Sequence, residues 1–323
     1  MTHYVSLLVH EAPDVVADQL ENLDRFFPGA VAMVHVSASA AFTPAELTAR
    51  LARSTARNWV VQEEQAPTMW GDIVSGLLIN LRAALAAGDA TSVSFHASND
   101  LLVRSGVGSV LERSPNLWNR RLIDRASRWY WVRGLRADAP FLAAVRELGG
   151  GPIRMSQIEG TSYTAESLAS VLPVVEEVVR ARRGADLPPY ANEELYFPTL
   201  AEACGARPSG RPYVYSEIFK LERVSRPAVG LALPGVLSRV SLRKYEALSM
   251  QGNQLFMKRV APRYGITRDD VDRIRAQRHT PGQLAVIGPR RGPVYDSAGL
   301  FGVKRVERRM DDPLRQYIAS LPA

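Results

Sequence analysis

Cysteine occurs once in this chain, at Cys204, so neither an internal disulfide nor a cysteine-built zinc site is open to it. The isolated thiol reads as a small buried hydrophobe. Histidine is scarce as well, and the five residues contain no His-x-x-x-His pair of the kind that grips a metal from one helix face. Long apolar runs are missing: nothing approaches the roughly 20 apolar residues of a membrane-spanning helix. The opening MTHYVSLLVHEAPDVV lacks the basic start and small-residue cleavage site of a signal peptide, and the chain is read as cytoplasmic. With 46% hydrophobic and 23% charged residues, the 323-residue sequence is neither disordered nor fibrous, and it is long enough for one large domain or two small ones.

The net charge of +7 is unevenly placed. Residues 1–200 carry 18 Lys/Arg against 22 Asp/Glu, a net of −4, whereas residues 201–323 carry 22 against 11, a net of +11. The basic end calls for an anionic partner, and a diphosphate, a nucleic-acid backbone or a peripheral membrane contact would each serve.

Along the chain, the apolar run Tyr4–Val9 reads as a buried strand that ends at the turn His10-Glu11-Ala12-Pro13. Asp14 is read as the cap of a helix through Val15, Val16, Leu20 and Leu23, stopped by Pro28-Gly29. Ala30–Val36 is a second buried strand. A strand-helix-strand unit of this length implies a mostly parallel sheet, hence an α/β fold. Further helices are expected at Pro44–Ala52, Ile73–Ala87, Ala165–Arg182 and from Glu193 to Ala203, with strands at Asn58–Gln62 and Thr91–His96. Segment Trp118–Arg136 interleaves tryptophan with arginine and reads as an irregular or helical insertion, either a stacking surface or a helix with one buried aromatic face. Because ligands of open α/β sheets gather at the carboxyl ends of the strands, His10, Ser37 and Asp100 are candidate pocket residues on architecture alone.

Several segments stand out in order: YVSLLVHEAP with VAMVHVSAS, then Met69-Trp70-Gly71, His96-Ala97-Ser98-Asn99-Asp100 and Glu159-Gly160-Thr161-Ser162-Tyr163. Asn192-Glu193-Glu194-Leu195-Tyr196-Phe197-Pro198-Thr199-Leu200 and Leu255-Phe256-Met257-Lys258-Arg259-Val260 complete the set. Together they resemble the core-2/I-branching enzymes, glycosyltransferase family 14, in its bacterial members. The resemblance covers roughly residues 4–275 and implies a GT-A type domain over 1–275. Residues 276–323 are then a basic extension packed on the same domain. It also implies inverting, metal-independent transfer of an N-acetylglucosamine- or xylose-like sugar from a UDP-linked donor to a hydroxyl of a glycan or small molecule, as in polysaccharide biosynthesis. No cofactor beyond the donor and no nucleic-acid partner is implied.

The resemblance assigns the catalytic base to Glu194, at the start of a helix whose dipole favours a carboxylate, although Glu193-Glu194 behind a cap at Asn192 would also simply complement that dipole. Lys258 and Arg259 are implied donor-diphosphate contacts, with Lys304 as their rival in the similar Leu300-Phe301-Gly302-Val303-Lys304. His10, Ser37 and Asp100 fall to the nucleotide, although the family's acidic residue after the second strand is Ser37 here. Trp70, Glu159 and Tyr163 fall to the acceptor. The one Asp-x-Asp, Asp270-Val271-Asp272, reads as the solvated face of a charged helix rather than a metal site. Competing readings are a basic nucleic-acid binder, a degenerate nucleotide-sugar binder and a nicotinamide-dependent oxidoreductase. The last is opposed by His10-Glu11-Ala12-Pro13 where Gly-x-Gly-x-x-Gly would stand.

Overall fold

The structure, a computed structural model, describes residues 2–123, 132–185, 187–216, 265–278, 284–286, 291–293 and 295–323. Lys258 and Arg259 lie outside the described residues.

The chain opens with β1 (Thr2–Val9), α1 (Pro13–Phe26), β2 (Val31–Val36), α2 (Pro44–Leu51), β3 (Trp59–Val61), α3 (Val74–Ala86) and β4 (Ala90–Ala97). After β5 (Leu101–Leu102), α4 (Val107–Arg113) and β6 (Arg121–Ile123) come α5 (Val132–Ala137), α6 (Ala139–Glu147), β7 (Ile153–Met155), β8 (Ser162–Thr164), α7 (Ala165–Arg182), α8 (Glu193–Ala203) and β9 (Val214–Tyr215). Beyond these lie α9 (Arg268–Arg275), β10 (Leu284–Val286), β11 (Arg291–Pro293), β12 (Gly302–Val303) and α10 (Pro313–Ala319).

The main sheet runs β3-β2-β1-β4-β8, with the first four strands parallel and β8 antiparallel to β4. The α/β expectation holds. Alternation along β1 sends Val5, Leu7 and Val9 to one core, shared with α1 and α2, and Tyr4 to another, shared with α3, α7 and α8. The chain proceeds from β1 outward through β2 and β3, then returns to place β4 on β1's other side. That reversal opens a crevice at the carboxyl ends of β1 and β4.

A second sheet, β5-β12-β9, stands beside that crevice, its middle strand antiparallel to β5 and parallel to β9. Arginines fasten the late segment to the body. Arg315, 1% exposed, pairs with Asp18, and Arg104 donates to the Leu300 carbonyl at 2.7 Å. Among the described residues no helix is long and apolar enough to cross a membrane.

Three local expectations are corrected. Asp14 is not the cap of α1: Ala12 holds that place with Pro13 in the first turn, where a ring without an N–H fits, and Asp14 pairs instead with Arg50. Within Trp118–Arg136, residues 121–123 form a strand paired to β7, and Trp118 is buried and stacked on Tyr163 at 4.8 Å, so it offers no stacking surface to a ligand. Cys204 is half-buried rather than buried.

Candidate functional site

At the crevice, β1 gives way to His10 and Glu11, and β4 to Ser98, Asn99 and Asp100. The Glu11 carboxylate is buried there, accepting from Ser98 Oγ at 2.7 Å and pairing with Arg308 Nε at 2.5 Å and His10 Nε2 at 3.1 Å. The turn after β4 closes on itself as Asp100 Oδ2 accepts from the Ala97 N–H at 2.8 Å, and Val306 N–H donates to the Asn99 carbonyl at 3.0 Å. Asp100 is 1% exposed. Burial and then Glu159 hold its pKa well above the ordinary carboxylate value, against the pull of Lys304, the Ala97 N–H and Arg308. Beside it, burial lowers the His96 pKa to about 4, so the ring is neutral and shares its Nε2 with Tyr213 Oη at 2.7 Å.

Glu159 enters from the loop between β7 and β8. Gly160 lets that loop turn, with φ +73° and its backbone so close to β9 that an added Cβ would lie 2.4 Å from Val214 N. Gln157 holds the same loop by donating to the Glu159 and Val214 carbonyls at 2.8 and 2.7 Å. Lys304, just past β12, pairs with Glu159 Oε1. Burial alone would raise the Glu159 pKa, but the charge and hydrogen bond of Lys304 carry it below the ordinary value. Lys304 gains in return, its pKa raised by Glu159 despite burial.

The first turn of α8 faces this pair. Asn192 Oδ1 accepts from the Glu193 N–H at 3.0 Å, and the Glu194 carbonyl accepts from Ser156 N–H at 2.9 Å, which fixes the turn against the loop bearing Glu159. Burial and then the charge of Glu159 raise the Glu194 pKa to about 7, with Lys304, Arg121 and Arg305 pulling the other way. Burial and then Glu194 raise that of Glu193 to about 8. A carboxyl poised near neutrality at a strand-end crevice can take a proton from a hydroxyl.

A second buried carboxylate braces α8 from behind. Asp138 Oδ2 accepts from Tyr190 Oη at 2.5 Å, from Arg182 Nη1 at 2.8 Å and from Tyr196 Oη, so one carboxylate holds residues on both sides of Glu194.

Of the residues singled out from sequence, Asp100, Glu159, Glu194 and Lys304 are brought into one electrostatic neighbourhood. His10 lies at the crevice rim with its side chain 54% exposed. The Ser37 hydroxyl is fully buried and ties β2 to the loop at Thr68, whose N–H it accepts at 3.0 Å. Trp70 is 52% exposed, in a turn whose Gly71 packs on Pro189 and Tyr190, so an aromatic face stands beside the segment leading to Glu194. Tyr163, at 1% exposure, lies in the core between Trp118, Phe95 and Phe197, away from any surface an acceptor could reach. Asp270 and Asp272 sit on α9, and the solvated face expected there holds for Asp272 alone: Asp270 is 3% exposed, because its carboxylate turns back to close a capping box with Thr267. Among the described residues no three His, Cys, Asp or Glu side chains group as metal ligands.

Sequence reasoning passed over Glu11, Arg308, Glu193 and Asp138 as site residues. The signal for Glu11 was its place at the end of the first strand, where the turn was read but not its carboxylate.

No protein-family model and no curated protein matches the sequence. Similar solved structures include 4-diphosphocytidyl-2C-methyl-D-erythritol synthase, at 12% identity over 65% of this chain and 89% of that one, with a TM-score of 0.38. Two more are a mycobacterial protein (18%, 64% and 76%, 0.30) and the glucosyl-3-phosphoglycerate synthase of Mycobacterium tuberculosis in complex with Mn2+, UDP and phosphoglyceric acid (18%, 64% and 80%, 0.32).

Proposed function

We propose that this chain is an inverting, metal-independent glycosyltransferase of GT-A type. It moves an N-acetylglucosamine- or xylose-like sugar from a UDP-linked donor to a hydroxyl of a glycan or small molecule. The observation that carries the reading is Glu194: a carboxyl with a pKa raised to about 7, in the first turn of α8, facing the Glu159–Lys304 pair.

In this reading the donor lies across the carboxyl ends of β1 and β4, with His10 at the rim toward the nucleotide. The acceptor oxygen attacks the anomeric carbon, its proton passes to Glu194, and the bond from that carbon to the diphosphate oxygen breaks with its electron pair on the leaving group. Lys304 supplies positive charge to that group by exchanging Glu159 for phosphate, and the family resemblance adds Lys258 and Arg259 to it. Trp70 offers an aromatic face to the acceptor.

The test is a calorimetric titration with UDP, GDP, CDP and dTDP in excess chelator, followed by transfer assays with sugars linked to whichever nucleotide binds. Selective binding and transfer without metal support the reading. Absence of nucleotide binding refutes it, and activity lost to chelator and restored by manganese refutes its metal-free part.

A further inference from the structure

Three carboxyls at the site are more than nine-tenths buried yet incompletely satisfied. Asp100 is 1% exposed, and its Oδ1 has no hydrogen-bond partner among the described residues, its Oδ2 being held by the Ala97 N–H. Glu193 is 7% exposed and Glu159 6%, and the Oε2 atom of each has no hydrogen-bond partner among the described residues. A buried acceptor left without a donor costs about 1–3 kcal/mol, and one retained in a native site calls for a functional partner such as an ion, a water or a ligand. Glu193 and Glu159 belong to one cluster. Glu193 feels Glu194 on its own helix, Glu159 from the β7–β8 loop and Lys304 from beyond β12, and Glu194 also feels Arg121 of β6 and Arg305.

The occupant must donate hydrogen bonds to buried, unpartnered carboxyl oxygens and offset the negative charge that Glu194 and Glu159 bring to Glu193. A neutral hydroxyl meets only the first demand. A divalent ion meets the second, but it needs several oxygen ligands around one point, and the described carboxylates do not group that way. A protonated primary amine meets both, with three donors on a single charge. The need grows once Lys304 turns toward a diphosphate and leaves Glu159 without its partner.

We infer that the acceptor is an amino alcohol or amino sugar, its ammonium held by Glu193 and Glu159 while its hydroxyl faces Glu194. This specifies the acceptor of the transferase reading and rests on it.

The test is calorimetry at pH 7 with glucosamine and ethanolamine against glucose, N-acetylglucosamine and ethylene glycol, repeated in two buffers of different ionisation enthalpy. Glucosamine and ethanolamine should bind at least tenfold more tightly than the neutral compounds and release protons. Glu193→Gln, with an unchanged circular dichroism spectrum, should weaken amine binding at least tenfold. Equal affinity for the neutral compounds, no amine binding, or an unaffected Glu193→Gln variant overturns the inference. Displacement of the amine by millimolar K+ or Mn2+ also overturns it, since an inorganic cation would then be the occupant. A parallel UDP titration separates the two readings: UDP binding without amine binding sinks only this inference, while amine binding without any nucleoside diphosphate sinks the transferase.

Discussion

Lys304 closes on Glu159 across 145 positions of sequence, and both ends of that ion pair are largely buried, at 15% and 8% side-chain exposure. Removing one partner strands the other. Lys304→Met should therefore cost about 3–5 kcal/mol of stability near neutral pH. Adding Glu159→Gln should recover most of the loss, and urea unfolding of the two single variants and the double variant measures the cycle. The Glu159 pKa is depressed in the folded state, so the pair contributes above the unfolded carboxylate value and fades as pH falls through the folded one. The Lys304→Met penalty should shrink accordingly in acid.

Glu194→Gln should lower transfer by about 10²- to 10⁴-fold, the range expected for loss of a general base, and leave nucleoside diphosphate affinity unchanged. Initial-rate assays and calorimetry on the same preparation check both halves. Turnover at the wild-type level would remove Glu194 from the mechanism.

Glu193 is held protonated by its surroundings, with a pKa raised to about 8. A carboxyl whose folded pKa exceeds its unfolded value binds more protons when folded, so stability falls as pH rises from about 4.5 to about 8. Glu193→Gln, which cannot ionise, should match the wild type near pH 4.5 and exceed it by roughly 2–4 kcal/mol at pH 8.5. A pH-independent difference in chemical denaturation would show that the carboxyl is not held neutral.

His96 gives the opposite slope in a lower window. Its folded pKa of about 4 lies below the ordinary imidazole value of 6.5, so the unfolded chain takes up the proton first and stability is lost as pH falls from 6.5 to 4. His96→Gln keeps a polar group beside Tyr213 without titrating, and should gain about 2–3 kcal/mol on the wild type across that window. Thermal melts at half-unit pH steps give the comparison.

Gly160→Ala sets a Cβ 2.4 Å from Val214 N at a φ of +73°, so the loop bearing Glu159 has to shift away from β9. A loss of about 3 kcal/mol or more is expected from the clash and the left-handed backbone together. Thermal unfolding reports the loss, and Gly88→Ala serves as the control, since its φ is +78° with nothing within 4 Å of an added Cβ.

The fold was legible wherever a local pattern was long enough to have a period. The apolar run of β1, the Val15 to Leu23 stripe of α1 and the helices α7 and α8 were read close to their true limits. Two-residue strands have no period, so Gly302–Val303 could not be seen as the middle of a sheet. Proline misled the reading of α1, because Asp14 looks like a cap until Pro13 is recognised as a first-turn residue. At the site, Glu194 and Lys304 were singled out through family resemblance, and Glu159 with them. Asp138 was not, because its partners Arg182, Tyr190 and Tyr196 come from α7, the approach to α8 and α8 itself. Tyr163 falls to the acceptor only through the resemblance of its loop, a local match that carries no sign of the Trp118, Phe95 and Phe197 rings it packs against in the core.

The order in which the chain is made has a consequence for the Glu159–Lys304 pair. Asp100, Glu159, Glu193 and Glu194 all leave the ribosome before Lys304 does, and before Gly302–Val303 can slip between β5 and β9. A nascent chain that collapses early therefore gathers its acids without the lysine that offsets them. The acids must keep their protons or stay wet until that strand arrives. Insertion of β12 between β5 and β9 thus completes the second sheet and delivers the charge of Lys304 to Glu159 in one event.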